Sequence, residues 1–173
     1  DQIQYLIQTV SSYYTSLADP NTGAYFRGHR PTRRNLVNGA MKVITALDWL
    51  GEPIHYPDKL IDTTLAALPE PQGCDLVDSI YVLYRSSLQT KYRRQSVVEY
   101  ANKLLELIRA HHNPDGGFSY NIGCAQKWYY GAPISKGLNE SDLHGTFLLV
   151  WALSMIFAML EEAHHTSWSI IKP

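Results

Sequence analysis

NESDLHGTFLLVWALSMIFAML, residues 139–160, decides the fold class. The stretch opens with polar capping residues, places His144 in its first turn, and runs from Phe147 to Leu160 with Ser154 as the one non-apolar side chain. A helix apolar on every face belongs inside a soluble protein, buried on all sides by other helices. The rest of the chain is therefore expected to supply the helices that wrap it.

Outward from this stretch the periodicity agrees. Ile3, Leu6, Ile7, Val10, Tyr13, Tyr14 and Leu17 recur at helical spacing until Pro20 and Gly23 break the pattern. Asn35 is read as the cap of a second helix through Val37, Met41, Val43, Ile44, Leu47 and Leu50, closed by Gly51. Pro57 opens a third, over residues 58–68. A fourth starts at Asp75, where Val77, Ile80, Tyr81, Leu83, Tyr84 and Leu88 cover more than one stripe. The fifth, over 94–112, is two-faced, with Val97, Tyr100, Leu104 and Ile108 on its inward side. Between Gly117 and Gly137 runs an aromatic, glycine-containing arm; connections of that length without regular structure are uncommon in compact domains and are often functional. The final HHTSWSIIKP reads as a tail packed on the body or on a missing neighbour.

These segments predict an all-α fold, with residues 1–173 forming one helical domain. A chain of 173 residues, 45% hydrophobic and 18% charged, is long enough for a sizeable core. A net charge of -1 provides no overall field for nucleic acid or an acidic membrane. Cys74 and Cys124 show no metal-ligand spacing and are read as ordinary thiols. No targeting segment is visible at the start, and no compartment is implied. Residues 143–160 make a poor membrane span, given Asp142, His144, Ser154 and the Glu161-Glu162 end.

The helices alternate between two-faced and more completely apolar, so the first, third and fifth are assigned to an outer layer and the others to an inner one. An internal echo supports the pairing: DPNTGAYF, residues 19–26, is matched by NPDGGFSY, residues 113–120. The inner helices also open alike. Asn35-Leu36-Val37-Asn38, Asp75-Leu76-Val77-Asp78 and Ser141-Asp142-Leu143-His144 place Asn38, Asp78 and His144 at one first-turn register, followed by Gly39, Ser79 and Gly145. A capping box explains Asn38 and Asp78 without any function, at roughly 1 kcal/mol each. A histidine gains less than a carboxylate at a helix start, which leaves His144 the better site candidate.

Asn113-Pro114-Asp115-Gly116-Gly117-Phe118 and Asp142-Leu143-His144-Gly145-Thr146 resemble motifs of the alpha/alpha toroid superfamily of terpenoid cyclases and protein prenyltransferases. The resemblance implies a partial toroid of about three helical hairpins, half a ring, completed by self-association or by a further stretch of chain. Prenyltransferases hold zinc on an aspartate, a cysteine and a histidine at inner-helix starts. The likeness gives His144 the histidine role and Asp78 the aspartate role, but Ile80 stands where the cysteine belongs and Cys74 lies before the helix. A three-ligand catalytic site is thus incomplete, and neither metal nor other cofactor is expected. Glycan lyases and glycoside hydrolases use a related architecture. In that setting Tyr129 or Tyr130 with His144 would form an acid/base pair for elimination, and Asn38 would help to neutralise a carboxylate.

Two further groups of candidates precede inner helices. Arg27, Arg30, Arg33 and Arg34, with His29 among them, form a basic arm suited to a diphosphate or uronate, or else a solvated charge run. Phe118, Tyr120, Trp128, Tyr129 and Tyr130 could stack on a sugar or enclose a hydrocarbon, or could pack the arm onto the domain. His111 and His112, and likewise His164 and His165, are read as helix C-terminal caps. The expectation is an accessory or structural helical module binding an anionic or apolar small molecule. The alternative is part of a toroid enzyme acting on isoprenoid diphosphates or acidic glycans.

Overall fold

Among the described residues helical periodicity becomes six helices: α1 (Gln2–Leu17), α2 (Arg33–Leu50), α3 (Pro57–Leu65), α4 (Gly73–Ser87), α5 (Arg94–Arg109) and α6 (Leu143–Met159). A two-stranded antiparallel ribbon, β1 (Trp128–Tyr129) and β2 (Ala132–Pro133), lies in the arm before α6. The structure, a computed structural model, describes residues 2–161. His164, His165 and the rest of the tail lie outside the described residues. No described helix is long and apolar enough to cross a membrane.

Helix boundaries depart from the sequence expectation where tertiary contacts set them. Thr32, not Asn35, caps α2: its hydroxyl accepts the Asn35 N–H at 3.3 Å, and α2 begins at Arg33. The α4 start moves from Asp75 to Gly73, whose N–H bonds the Tyr120 carbonyl at 3.0 Å. A Cβ there would come within 2.8 Å of the Tyr120 ring, so the close approach requires glycine. At the far end of α3, Arg33 donates to the Thr63 and Thr64 carbonyls at 3.3 and 2.9 Å and also to Ala67. α5 stops at Arg109, and two residues on the chain turns away as Ser119 N–H bonds the His111 carbonyl at 2.9 Å.

The new boundaries correct the proposed register. Counted from their first residues, Asn38 and Asp78 are both the sixth residue of their helices, whereas His144 is the second of α6. Asn38 and Asp78 are therefore second-turn residues and neither acts as a cap.

Packing centres on α4, which touches α2, α3, α5 and α6. Eleven of its 15 residues are buried, so it takes the central place expected for α6. α6 itself is buried along one side only, through Leu148, Leu149, Ala152, Met155, Ile156 and Met159. Leu143 is 89% exposed and Phe147 66%. The reason is the contact order: α2 lies against α4 and α4 against α6, while α3 and α5 touch each other and fill the adjoining grooves. Among the described helices α6 meets only α4 and α5, and Leu143 and Phe147 stand on a face that neither of them covers. α1 is looser still: among the described helices it touches α2 alone, and none of its residues is fully buried.

The two echoed turns adopt related forms. Asp19 N–H bonds the Ala24 carbonyl at 2.9 Å with Ala18 bridged to Tyr25, and Asn113 N–H bonds the Gly117 carbonyl at 3.0 Å with His112 bridged to Phe118. Each turn reverses the chain directly after a helix.

Truncation should separate the core from the loose helix. Ile80→Ala and Leu83→Ala, at fully buried α4 positions, are each expected to lose about 2–5 kcal/mol in chemical denaturation. Leu6→Ala, at a position 54% exposed on α1, should change stability by less than about 0.5 kcal/mol. A Leu6 loss equal to those in α4 would mean that the α1 face is covered in solution.

Candidate functional site

α6 begins at Asp142, whose extended backbone (φ −127°, ψ 157°) lets its carboxylate reach the first turn. Oδ1 accepts the Gly145 N–H at 2.7 Å, a helix cap of the usual kind. Oδ2 turns instead to the arm, accepting Tyr120 N–H at 2.7 Å and Gln126 N–H at 3.0 Å. A single carboxylate thus ties the helix start to two points of the arm. Nearby, the Thr146 hydroxyl accepts Phe118 N–H at 3.0 Å, and Asp142 N–H bonds the Phe118 carbonyl at 3.0 Å. Gly145 lets the two backbones meet, since a Cβ there would lie 2.4 Å from the Tyr120 nitrogen.

This junction positions His144. Its ring stacks on Tyr120 (centroids 5.2 Å apart, planes at 18°) and meets Tyr129 edge-on at 5.1 Å. Nδ1 lies 2.7 Å from the Gln126 amide oxygen. With a carbonyl oxygen as acceptor, Nδ1 carries the proton and Nε2 keeps its lone pair. Burial holds the imidazole pKa below its ordinary 6.5, opposed by the nearby Asp142 charge. Among the described residues nothing bonds Nε2. The ring lines an open cleft of about 510 Å³ with Gln126, Tyr129, Ile134, Leu143 and Phe147. Ser135 and Asp142 also reach this cleft, but both are already engaged: the Ser135 hydroxyl donates to the Gln126 carbonyl at 2.8 Å.

A second polar group lies between α2 and α4. Asp75 is buried and its carboxylate is saturated: Arg34 Nε stands 3.0 Å from both oxygens, Nη2 2.7 Å from Oδ2, and Asn38 Nδ2 2.7 Å from Oδ1. The adjoining crevice has about 40 Å³, room for a water molecule and little more. Among the described residues Asp78, 3% exposed, meets only Lys42 Nζ, at 3.4 Å. Burial pushes its pKa up to about 6; Lys42 pulls it down, and the Asp75 charge adds to the rise.

The sequence candidates therefore separate into groups. His144 and Tyr129 meet at the cleft; Asn38 stands in the crevice, and Asp78 lines neither space. Tyr130, 95% exposed, sits in the two-residue turn between β1 and β2 with φ +47°, ahead of Gly131 at +83°, the positive-φ pair of a tight hairpin. Trp128 is exposed on β1. Phe118 packs edge-on against His112 at 5.3 Å, away from the cleft lining. Of the four arginines, Arg33 holds the end of α3, Arg34 holds Asp75, and Arg27 lies over the Tyr13 ring at 5.1 Å. Arg30 is exposed. His111 is no C-terminal cap: it is fully buried, its Nδ1 lies 2.8 Å from the Ser119 carbonyl, and burial lowers its pKa.

Three residues of the junction escaped sequence reasoning in their actual roles. Tyr120 stacks on His144 while its carbonyl accepts the Gly73 N–H at 3.0 Å, joining the α6 start to the α4 start. Gln126 carried no motif signal. Asp142 stood one place after the residue taken as the cap.

Among the described residues no group of three His, Cys, Asp or Glu side chains is placed to hold a metal ion. No family model, curated protein or solved structure matches the chain.

Two substitutions test the electrostatics. Asp142→Ala should lose on the order of 2–4 kcal/mol and speed hydrogen exchange at the Tyr120, Gln126 and Gly145 amides together; slowed or unchanged exchange at Gln126 would refute the shared tie. Asp78, raised from 3.8 to about 6, takes up a proton on folding, so its contribution favours the fold below pH 4 and is lost as pH rises through 6. Asp78→Asn should therefore gain on the order of 1–3 kcal/mol at pH 7.5 and little at pH 4 in urea denaturation. A loss at pH 7.5 would mean that the Lys42 pair outweighs burial.

Proposed function

We propose that this chain is a toroid-like helical module of accessory type that binds a mainly apolar small molecule in the cleft at the start of α6. The observation that carries the binding is His144, with one ring nitrogen held by Gln126 and the other without a hydrogen-bond partner among the described residues, beside a cleft walled by Tyr129, Ile134, Leu143 and Phe147. Small-molecule pockets typically span roughly 300–1,000 Å³, mostly apolar with a few placed polar groups. The 510 Å³ cleft has that character.

Of the two ligand classes that the sequence raised, the apolar one is better supported. An anion would find Arg33 and Arg34 already bonded within the fold and, at the cleft, an imidazole kept neutral at pH 7. The accessory reading rests on the separation of Asn38 and Asp78 from His144, which leaves no complete acid, base and electrophile set at one place. The toroid-like reading draws on the hairpin contact order and the echoed turns. The exposed large apolar side chains of α1 and α6 among the described residues are in keeping with a module completed by a second copy or by further chain.

A second reading, elimination on an acidic glycan, is favoured by the edge contact of Tyr129 with His144 at 5.1 Å. It is weaker, because Asn38 is bonded to Asp75 rather than open to the cleft.

Nile red, a neutral apolar fluorophore, tests the binding. The protein is expected to enhance its emission saturably at one site. Phe147→Asp and Leu143→Asp, at exposed positions, should abolish the enhancement while leaving thermal unfolding nearly unchanged. Enhancement that survives both substitutions, or that Leu6→Asp on α1 removes instead, would overturn the assignment of the cleft.

A further inference from the structure

Resting on the cleft as the binding site, we infer that its ligand is a neutral hydrocarbon bearing a hydroxyl group, an alcohol or phenol, whose O–H donates to Nε2 of His144. The inference comes from the hydrogen-bonding groups that face the cleft and are not already engaged.

Gln126 is held firmly. Its N–H goes to Asp142 at 3.0 Å, its carbonyl accepts the Ser135 hydroxyl at 2.8 Å, and its amide oxygen meets His144 Nδ1 at 2.7 Å. That last bond sets both partners. The imidazole presents a lone pair at Nε2, and the Gln126 amide nitrogen, with two N–H donors, has no acceptor among the described residues. The Tyr129 hydroxyl also belongs to the lining, and His144 and Gln126 add a pair, one free acceptor and one free donor group, on otherwise apolar walls.

A hydroxyl, which donates and accepts at once, matches that pair. A carboxylate or phosphate accepts only, so it would meet the Nε2 lone pair and the adjacent Asp142 charge, with no lysine or arginine among the lining residues. An ammonium donates only and would leave the hydrated state for an apolar wall. A bare hydrocarbon would displace water from both polar groups and replace none of its hydrogen bonds.

A chain-matched series separates these cases at pH 8: 1-decanol, decanoate, decylamine and decane, each competing against Nile red. Decanol is expected to displace the dye at about tenfold lower concentration than the other three. In His144→Phe, which keeps a ring against Tyr120 but removes the acceptor, the preference should fall to within about threefold. Decanoate or decylamine competing as well as decanol would overturn the proposal, and so would a decanol preference that survives His144→Phe. If the dye binds in a Phe147-dependent way and no member of the series displaces it, the ligand class is wrong while the cleft stands. If the dye does not bind, both fail.

Discussion

Three backbone N–H groups, from Tyr120, Gln126 and Gly145, converge on the carboxylate of Asp142. Everything distinctive about the region around α6 follows from that convergence. A helix start has unpaired donors, and an aspartate cap ordinarily satisfies one or two of them. Here the second oxygen faces away from the helix and fastens the arm at two points outside its short β ribbon. The arm in turn brings Tyr120 under His144 and Gln126 beside it, so the geometry of the imidazole is a consequence of how the backbone donors are satisfied.

A comparable logic, with the opposite outcome, operates at the centre of the molecule. α4 is buried on every side and still carries two carboxylates, one turn apart. Asp75 is surrounded by donors from Arg34 and Asn38, so its burial is compensated. Asp78 has one lysine at 3.4 Å, and the lysine is itself mostly exposed. An under-compensated buried charge shifts toward its neutral form, which is the physical content of a pKa near 6. The two residues share a helix, a charge type and near-complete burial; the number of donors aimed at each makes the difference.

These contrasts also mark how far the sequence could be read. Helix existence and type were legible because a 3.6-residue period is local. Boundaries were less so, because Gly73 is drawn into α4 by Tyr120 and α3 ends against Arg33, contacts that span dozens of residues. The arginine-rich segment looked like a ligand arm for the same reason: density of charge is visible in sequence, whereas the acceptor of Arg34 lies 41 residues away. His144 was legible as a helix-start histidine. Its partner Gln126 was not, since an 18-residue separation across an aperiodic arm leaves no pattern to detect.

The instructive departure is α6, whose sequence is apolar all round and whose burial is one-sided. Composition reports what a helix would tolerate around it, not which neighbours are present. α4, with charges and hydroxyls in its sequence, is more buried than α6 because four helices reach it and only two reach α6. The exposed face of α6 is also where Leu143 and Phe147 stand, and with Tyr129 and Ile134 of the arm they form the apolar walls on which His144 opens. Cleft and exposed helix face are therefore one feature. Whatever occupies that face must accommodate a single fixed, neutral imidazole among hydrocarbon side chains.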